Sequence, residues 1–160
     1  MTDTSATTAA LDSITGVHHV RLSVTDLGRS RAFYEGVLGL TPAIESEGDA
    51  SDPAVREDPA QYFGGVIYGV GSQLLGLRPI ADGGAADGGA ADVGAAFDPA
   101  ARGLDHVSLQ VGSRDDLVRA AALFEERGIA HGEVIDFPTG MSILSVQDPD
   151  DINVELVVAG

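Results

Sequence analysis

One nine-residue stretch occurs twice in this chain. Gly16-Val17-His18-His19-Val20-Arg21-Leu22-Ser23-Val24 can be laid over Gly103-Leu104-Asp105-His106-Val107-Ser108-Leu109-Gln110-Val111, and five of the nine positions coincide. A duplicated unit constrains a fold strongly, because both copies must bury the same apolar pattern. The segment after each copy has the same rhythm. In the first half Asp26 is a plausible helix N-cap, Phe33, Val37 and Leu40 recur at helical spacing, and Gly39 can end the helix. In the second half Ser113 and Asp116 form a capping pair, Leu117, Ala121 and Phe124 make the buried stripe, and Gly128 ends it.

Three short apolar runs come after each helix. They fall at Leu40–Glu45, Tyr62–Gly69 and Gln73–Ile80, then at Ile129–Asp136, Met141–Val146 and Asp151–Val158. Asp148-Pro149-Asp150 supplies the turn before the last. Both halves therefore read strand, helix, strand, strand, strand. The boundaries are a flexible tail over 1–15, a first module over 16–80, a linker over 81–101 and a second module over 102–160. The linker is marked by a five-residue Ala-Asp-Gly repeat with no apolar face to bury. The stretch Glu45–Asp58 reads as an exposed acidic loop.

Composition narrows the chemistry. The chain of 160 residues has no Cys, and all nine basic residues are Arg, so thiol nucleophiles, Cys-ligated zinc and lysine Schiff bases are excluded. A net charge of −16 argues against nucleic-acid binding and makes an anionic substrate unattractive. Ten of the 25 acids fall in Glu45–Asp58 and Asp82–Asp98, so much of that charge belongs to loop and linker. No apolar run is long enough for a membrane helix, and Met1–Thr15 lacks the features of a signal peptide, so the expectation is cytoplasmic.

Strand alternation singles out a few side chains. Val20, Leu22 and Val24 share one face of the first strand, and His19, Arg21 and Ser23 share the other. In the second half His106 and Glu155 likewise fall opposite the apolar faces. If the halves curve toward each other, His19, His106 and Glu155 converge as a two-histidine, one-carboxylate metal set with open coordination positions. His18 falls on the helix-facing side and reads as structural.

The pattern resembles the vicinal oxygen chelate superfamily, which includes glyoxalase I, bleomycin- and fosfomycin-resistance proteins, methylmalonyl-CoA epimerase and extradiol dioxygenases. The residues that carry the resemblance are Gly16–Val24 with Asp26-Leu27, Ser30, Phe33-Tyr34 and Val37–Leu40. In the second half they are Leu104–Val111, Gly128-Ile129, Asp148-Pro149-Asp150 and Val154-Glu155-Leu156. The resemblance implies an α+β fold of two βαβββ modules, a cupped mixed sheet with helices on its outer face. It implies a divalent metal held by His19, His106 and Glu155, with Fe(II) the first choice and Mn(II), Ni(II) or Zn(II) behind it. Gly76 stands where the family's fourth ligand is expected, which favours a three-ligand, dioxygenase-like enzyme over glyoxalase I chemistry. Tyr68 and His131 are the candidates for a catalytic role, and Arg21 and Arg78 for substrate binding. The implied partner is a small molecule with vicinal oxygens, and a homodimer is expected. The rival reading is a drug-sequestering protein of the bleomycin-resistance kind, without catalysis.

Overall fold

The computed structural model describes residues 15–80 and 97–160. The expected tail up to residue 14 and most of the expected linker lie outside them. The first module runs β1 (His19–Val24), α1 (Leu27–Tyr34), β2 (Pro42–Glu45), α2 (Pro53–Glu57), a 3-10 turn (Pro59–Gly64), β3 (Val66–Val70) and β4 (Gln73–Pro79). The second runs β5 (Val107–Gln110), α3 (Arg114–Arg127), β6 (Ile135–Asp136), β7 (Ser142–Gln147) and β8 (Asn153–Val158). The sheets have one topology written twice, β1-β4-β3-β2 and β5-β8-β7-β6. In each, the first strand pairs in parallel with the last and the remaining ladders are antiparallel. This is the α+β architecture of paired βαβββ modules, with open sheets.

The helices form where their caps allow. The Asp26 side chain accepts from the Arg29 amide at 3.0 Å, and the Ser113 hydroxyl accepts from the Asp116 amide at 3.3 Å while donating to the Asp116 carboxylate at 2.7 Å. Gly128 closes α3 in the left-handed region at φ 63°, a conformation open to glycine without a Cβ clash. The cores lie between helix and sheet. Leu22, Val24, Val66, Tyr68, Leu75 and Leu77 meet Phe33 and Tyr34 in the first module. In the second, Val107, Leu144, Val146, Val154 and Leu156 meet Leu117 and Phe124. Each such side chain contributes about 1.5–3 kcal/mol through burial.

Four local expectations change. The first helix ends at Tyr34 with Glu35 as its cap, so Val37 and Leu40 lie beyond it and Gly39 does not end it. The run from Tyr62 starts as a tight turn instead of a strand, with Tyr62 and Phe63 both left-handed at φ 51° and 58°. Gly65 explains the turn, since a Cβ there would collide with the Leu77 carbonyl as the chain crosses β4. The acidic loop contains α2, capped by Asp52. The run Ile129–Asp136 pairs only at a single bridge from His131 to Val146 and at the two residues of β6.

Arg114 forks onto Asp136 with two bonds of 2.8 Å, tying the start of α3 to β6. The Arg114 guanidinium and the Ser142 hydroxyl hold the Asp136 carboxyl down to about 2. A depressed carboxyl stabilises the fold above its unfolded pKa and loses that contribution as pH falls from ~4 toward 2. In an NMR titration Asp136 is expected to titrate near 2 and to return toward the ordinary carboxylate range in Arg114→Ala. An unchanged midpoint in that variant counts against the fork.

Candidate functional site

The two sheets present their polar faces in the same register. Arg21 pairs with Gly76 across β1 and β4, and Ser108 pairs with Glu155 across β5 and β8. His18 therefore corresponds to Asp105, His19 to His106, Gly76 to Glu155 and Arg78 to Val157. The strand positions are equivalent and the chemistry on them has diverged.

In the second module His106 and Glu155 border one cavity of about 300 Å³, together with Asp105, Ser145 and Asn153. Asp105 hydrogen-bonds the His106 Nδ1, and the Ser108 hydroxyl donates to Glu155 Oε1 at 2.9 Å. The Asp105 bond, and after it the charge of Glu155, push the His106 pKa up. An imidazole whose Nδ1 is held by a carboxylate keeps Nε2 as its ligating atom, the arrangement found behind metal-bound histidines.

In the first module the same position holds cations. Gly76 leaves room for Arg21 to lie across β4, since a Cβ at Gly76 would stand 3.2 Å from the Arg21 Nε. The Arg21 and Arg78 guanidinium carbons sit 5.4 and 4.3 Å from the centre of the Phe63 ring. Sequence reasoning found both arginines and missed Phe63, whose signal was the Gly64-Gly65 pair that makes the tight turn.

The expected convergence of three ligands is not seen within the chain. His19 is exposed and borders a different groove, of about 720 Å³, that also takes in Gly71, Gln73, Ser108 and Gln110. Among the described residues no group of three or more His, Asp and Glu side chains stands close enough to hold a metal ion. His18 is exposed instead of packed, and its Nδ1 lies 3.0 Å from the His19 Nδ1. It thus contacts His19 where Asp105 contacts His106.

Tyr68 and His131 lie on the other side of their sheets. Tyr68 is fully buried, pairs with the buried Leu75 and donates its hydroxyl to Glu35 at 3.0 Å. His131 bridges to the buried Val146 and packs on Phe124 of α3, with ring centroids 5.8 Å apart. Strand pairing places both on the helix-facing side, away from Glu155.

A second polar cluster joins the modules. Tyr34 of α1 donates to the Asp148 carboxylate at 3.0 Å, and both residues are buried. Asp148 also accepts from the backbone amides of Asp150 and Ile152 at 2.8 and 2.9 Å. Alongside, the Asp150 carboxylate takes the Thr25 amide and hydroxyl, and Arg29 reaches the Pro149 carbonyl at 2.8 Å. Burial raises the pKa of Asp148 and, more strongly, that of Tyr34.

A model of the Glyoxalase/Bleomycin resistance protein/Dioxygenase superfamily matches residues 16–156. Among solved structures, a glyoxylase/bleomycin resistance protein/dioxygenase domain from Frankia sp. EAN1pec is 28% identical with a TM-score of 0.66, over 92% of this chain and 100% of that one. A lactoylglutathione lyase from Agrobacterium tumefaciens is 20% identical with a TM-score of 0.62, over 91% of this chain and 95% of that one, a likeness of fold alone. No curated protein sequence matches the chain. No helix among the described residues is long and apolar enough to cross a membrane.

Proposed function

The chain belongs to the Glyoxalase/Bleomycin resistance protein/Dioxygenase superfamily, and on that premise we propose a divalent-metal-dependent enzyme, dioxygenase-like in its ligand set, acting on a small substrate with vicinal oxygens. The observation that carries this reading is the pair His106 and Glu155 in one cavity, each held by a neighbour, Asp105 and Ser108. These residues fit two ligands of a His-His-carboxylate set. The third ligand is His19, which is exposed and separate in the single chain. We assign it to the site of a second copy in a homodimer. Fe(II) is the preferred metal, with Mn(II), Ni(II) and Zn(II) as alternatives.

The bound metal would supply a Lewis acid for two substrate oxygens. The protein's own part is preorganisation. Asp105 fixes the tautomer and orientation of His106, and Ser108 fixes one oxygen of Glu155.

Metal content separates this reading from its rival. Wild-type protein loaded anaerobically with Fe(II), or with Mn(II), is expected to hold metal after desalting. Asp105→Asn should weaken binding by about 10–100-fold, and Glu155→Ala by more. Mixed dimers of His19→Ala with Glu155→Ala are expected to regain one site per dimer, because one interface keeps all three ligands. No recovery in the mixture overturns the shared site. A wild-type protein that takes up no metal and binds a cationic drug tightly would instead support sequestration. Metal-loaded protein that consumes oxygen with a catechol supports the dioxygenase branch.

A further inference from the structure

We propose that Arg21 and Arg78, stacked on Phe63, form an oxyanion site for the carboxylate or phosphate group of a small molecule. None of its three residues is a proposed metal ligand, and Arg21 shares the polar face of β1 with His19, so the site is tested on metal-free protein.

The arginines are set apart by what they do not touch. Arg31, Arg114 and Arg119 pair with carboxylates, and Arg29, Arg56 and Arg127 reach backbone carbonyls. Among the described residues Arg21, Arg78 and Arg102 meet neither, and of these Arg102 is exposed while Arg21 and Arg78 are half-buried, in a chain with 25 acids and a net charge of −16. Here two half-buried cations both lie over the Phe63 ring, and their mutual repulsion favours binding of an anion. Burial and, after it, the charge of Arg78 lower the Arg21 pKa.

Three features build the position. Gly76 removes the side chain that would fill the space under Arg21. The left-handed pair Tyr62 and Phe63 brings the phenyl ring to both guanidiniums, and backbone of this kind costs about 1–3 kcal/mol per residue, which the surrounding structure must offset. The ring holds both guanidiniums by cation–π attraction, and neither has a hydrogen-bond acceptor among the described residues, so their N–H groups can take a planar or tetrahedral oxyanion. Overall charge is therefore a poor guide to the substrate, because two half-buried cations meet no carboxylate among the described residues.

The probes are inorganic phosphate and benzoate, titrated into full-length protein and followed by calorimetry and by NMR of the arginine Nε–H groups. A built site should bind one of them at roughly millimolar concentration or tighter. The stronger of the two identifies the group, since benzoate adds a ring and phosphate a second charge. Arg21→Gln and Arg78→Gln should each weaken binding at least tenfold, whereas Arg114→Gln, on an exposed pair in the other module, should leave it unchanged. Phe63→Leu keeps an apolar floor without the π face and should weaken binding less than either arginine variant. Folding of every variant is checked by circular dichroism. Wild-type protein that binds neither probe overturns the proposal, and so does equal loss from Arg114→Gln, which reports charge screening without a site. Removing metal with a chelator should not change the result, so failure here and failure of the metal reading are told apart.

Discussion

Asp148→Ala is expected to destabilise the protein by about 4 kcal/mol and to loosen the contact between modules. Three donors share the Asp148 carboxylate, the Tyr34 hydroxyl and the amides of Asp150 and Ile152. Alanine leaves all three without an acceptor, and a buried unsatisfied donor costs roughly 1–3 kcal/mol. Asp148→Asn separates hydrogen bonding from charge. An asparagine oxygen still accepts from both amides, and the Tyr34 hydroxyl can turn to accept from the new NH₂ group, so about 1 kcal/mol is expected. Tyr34→Phe should cost a similar amount. Urea unfolding measures all three, and hydrogen exchange along α1 reports the loosening. If Asp148→Asn proves as damaging as Asp148→Ala, the charge matters more than the geometry, against the raised pKa that burial imposes.

This cluster shows where the sequence stopped being legible. Asp148-Pro149-Asp150 was readable as a turn, and it is one. Its second role depends on Tyr34, 114 positions away, and no local pattern links the two. The elements themselves were legible because their signals are local: caps at Asp26 and Ser113, a glycine stop at 128, alternating apolar residues in the strands. Strand parity also placed His106 and Glu155 on one face, and the register set Gly76 opposite Arg21 as Glu155 stands opposite Ser108. Parity says which face a residue takes and nothing about how two sheets sit together. That is why His19 was expected beside His106 and instead borders another groove. Tyr68 and His131 could have been assigned from parity, Tyr68 from its phase with Val66. Phe63 could not, because a left-handed pair of non-glycine residues breaks the alternation that makes a strand readable.

The diverged register allows the first module to be rewritten as the second. Three substitutions together, His18→Asp, Arg21→Ser and Gly76→Glu, copy the neighbours of His106 and Glu155 onto His19. The triple variant is expected to bind Mn(II) or Zn(II) at least tenfold more tightly than wild type, because it adds a carboxylate beside His19 in the proposed shared site, and to lose phosphate or benzoate binding. Each change has a separate task. Gly76→Glu supplies the carboxylate at the position paired with residue 21. Alone it should abolish oxyanion binding without adding metal, because Arg21 and Arg78 would capture the new carboxylate as an ion pair. Arg21→Ser removes the nearer of those cations, clears the contact of 3.2 Å over Gly76 and provides the hydroxyl that Ser108 provides in the second module. His18→Asp replaces an imidazole 3.0 Å from the His19 Nδ1 with the carboxylate that orients His106. Calorimetric titration of the single, double and triple variants checks the order. Metal affinity that rises only when all three are present supports equivalence of the two half-sites. Affinity that rises with Gly76→Glu alone would mean that the arginines do not hold an anion there.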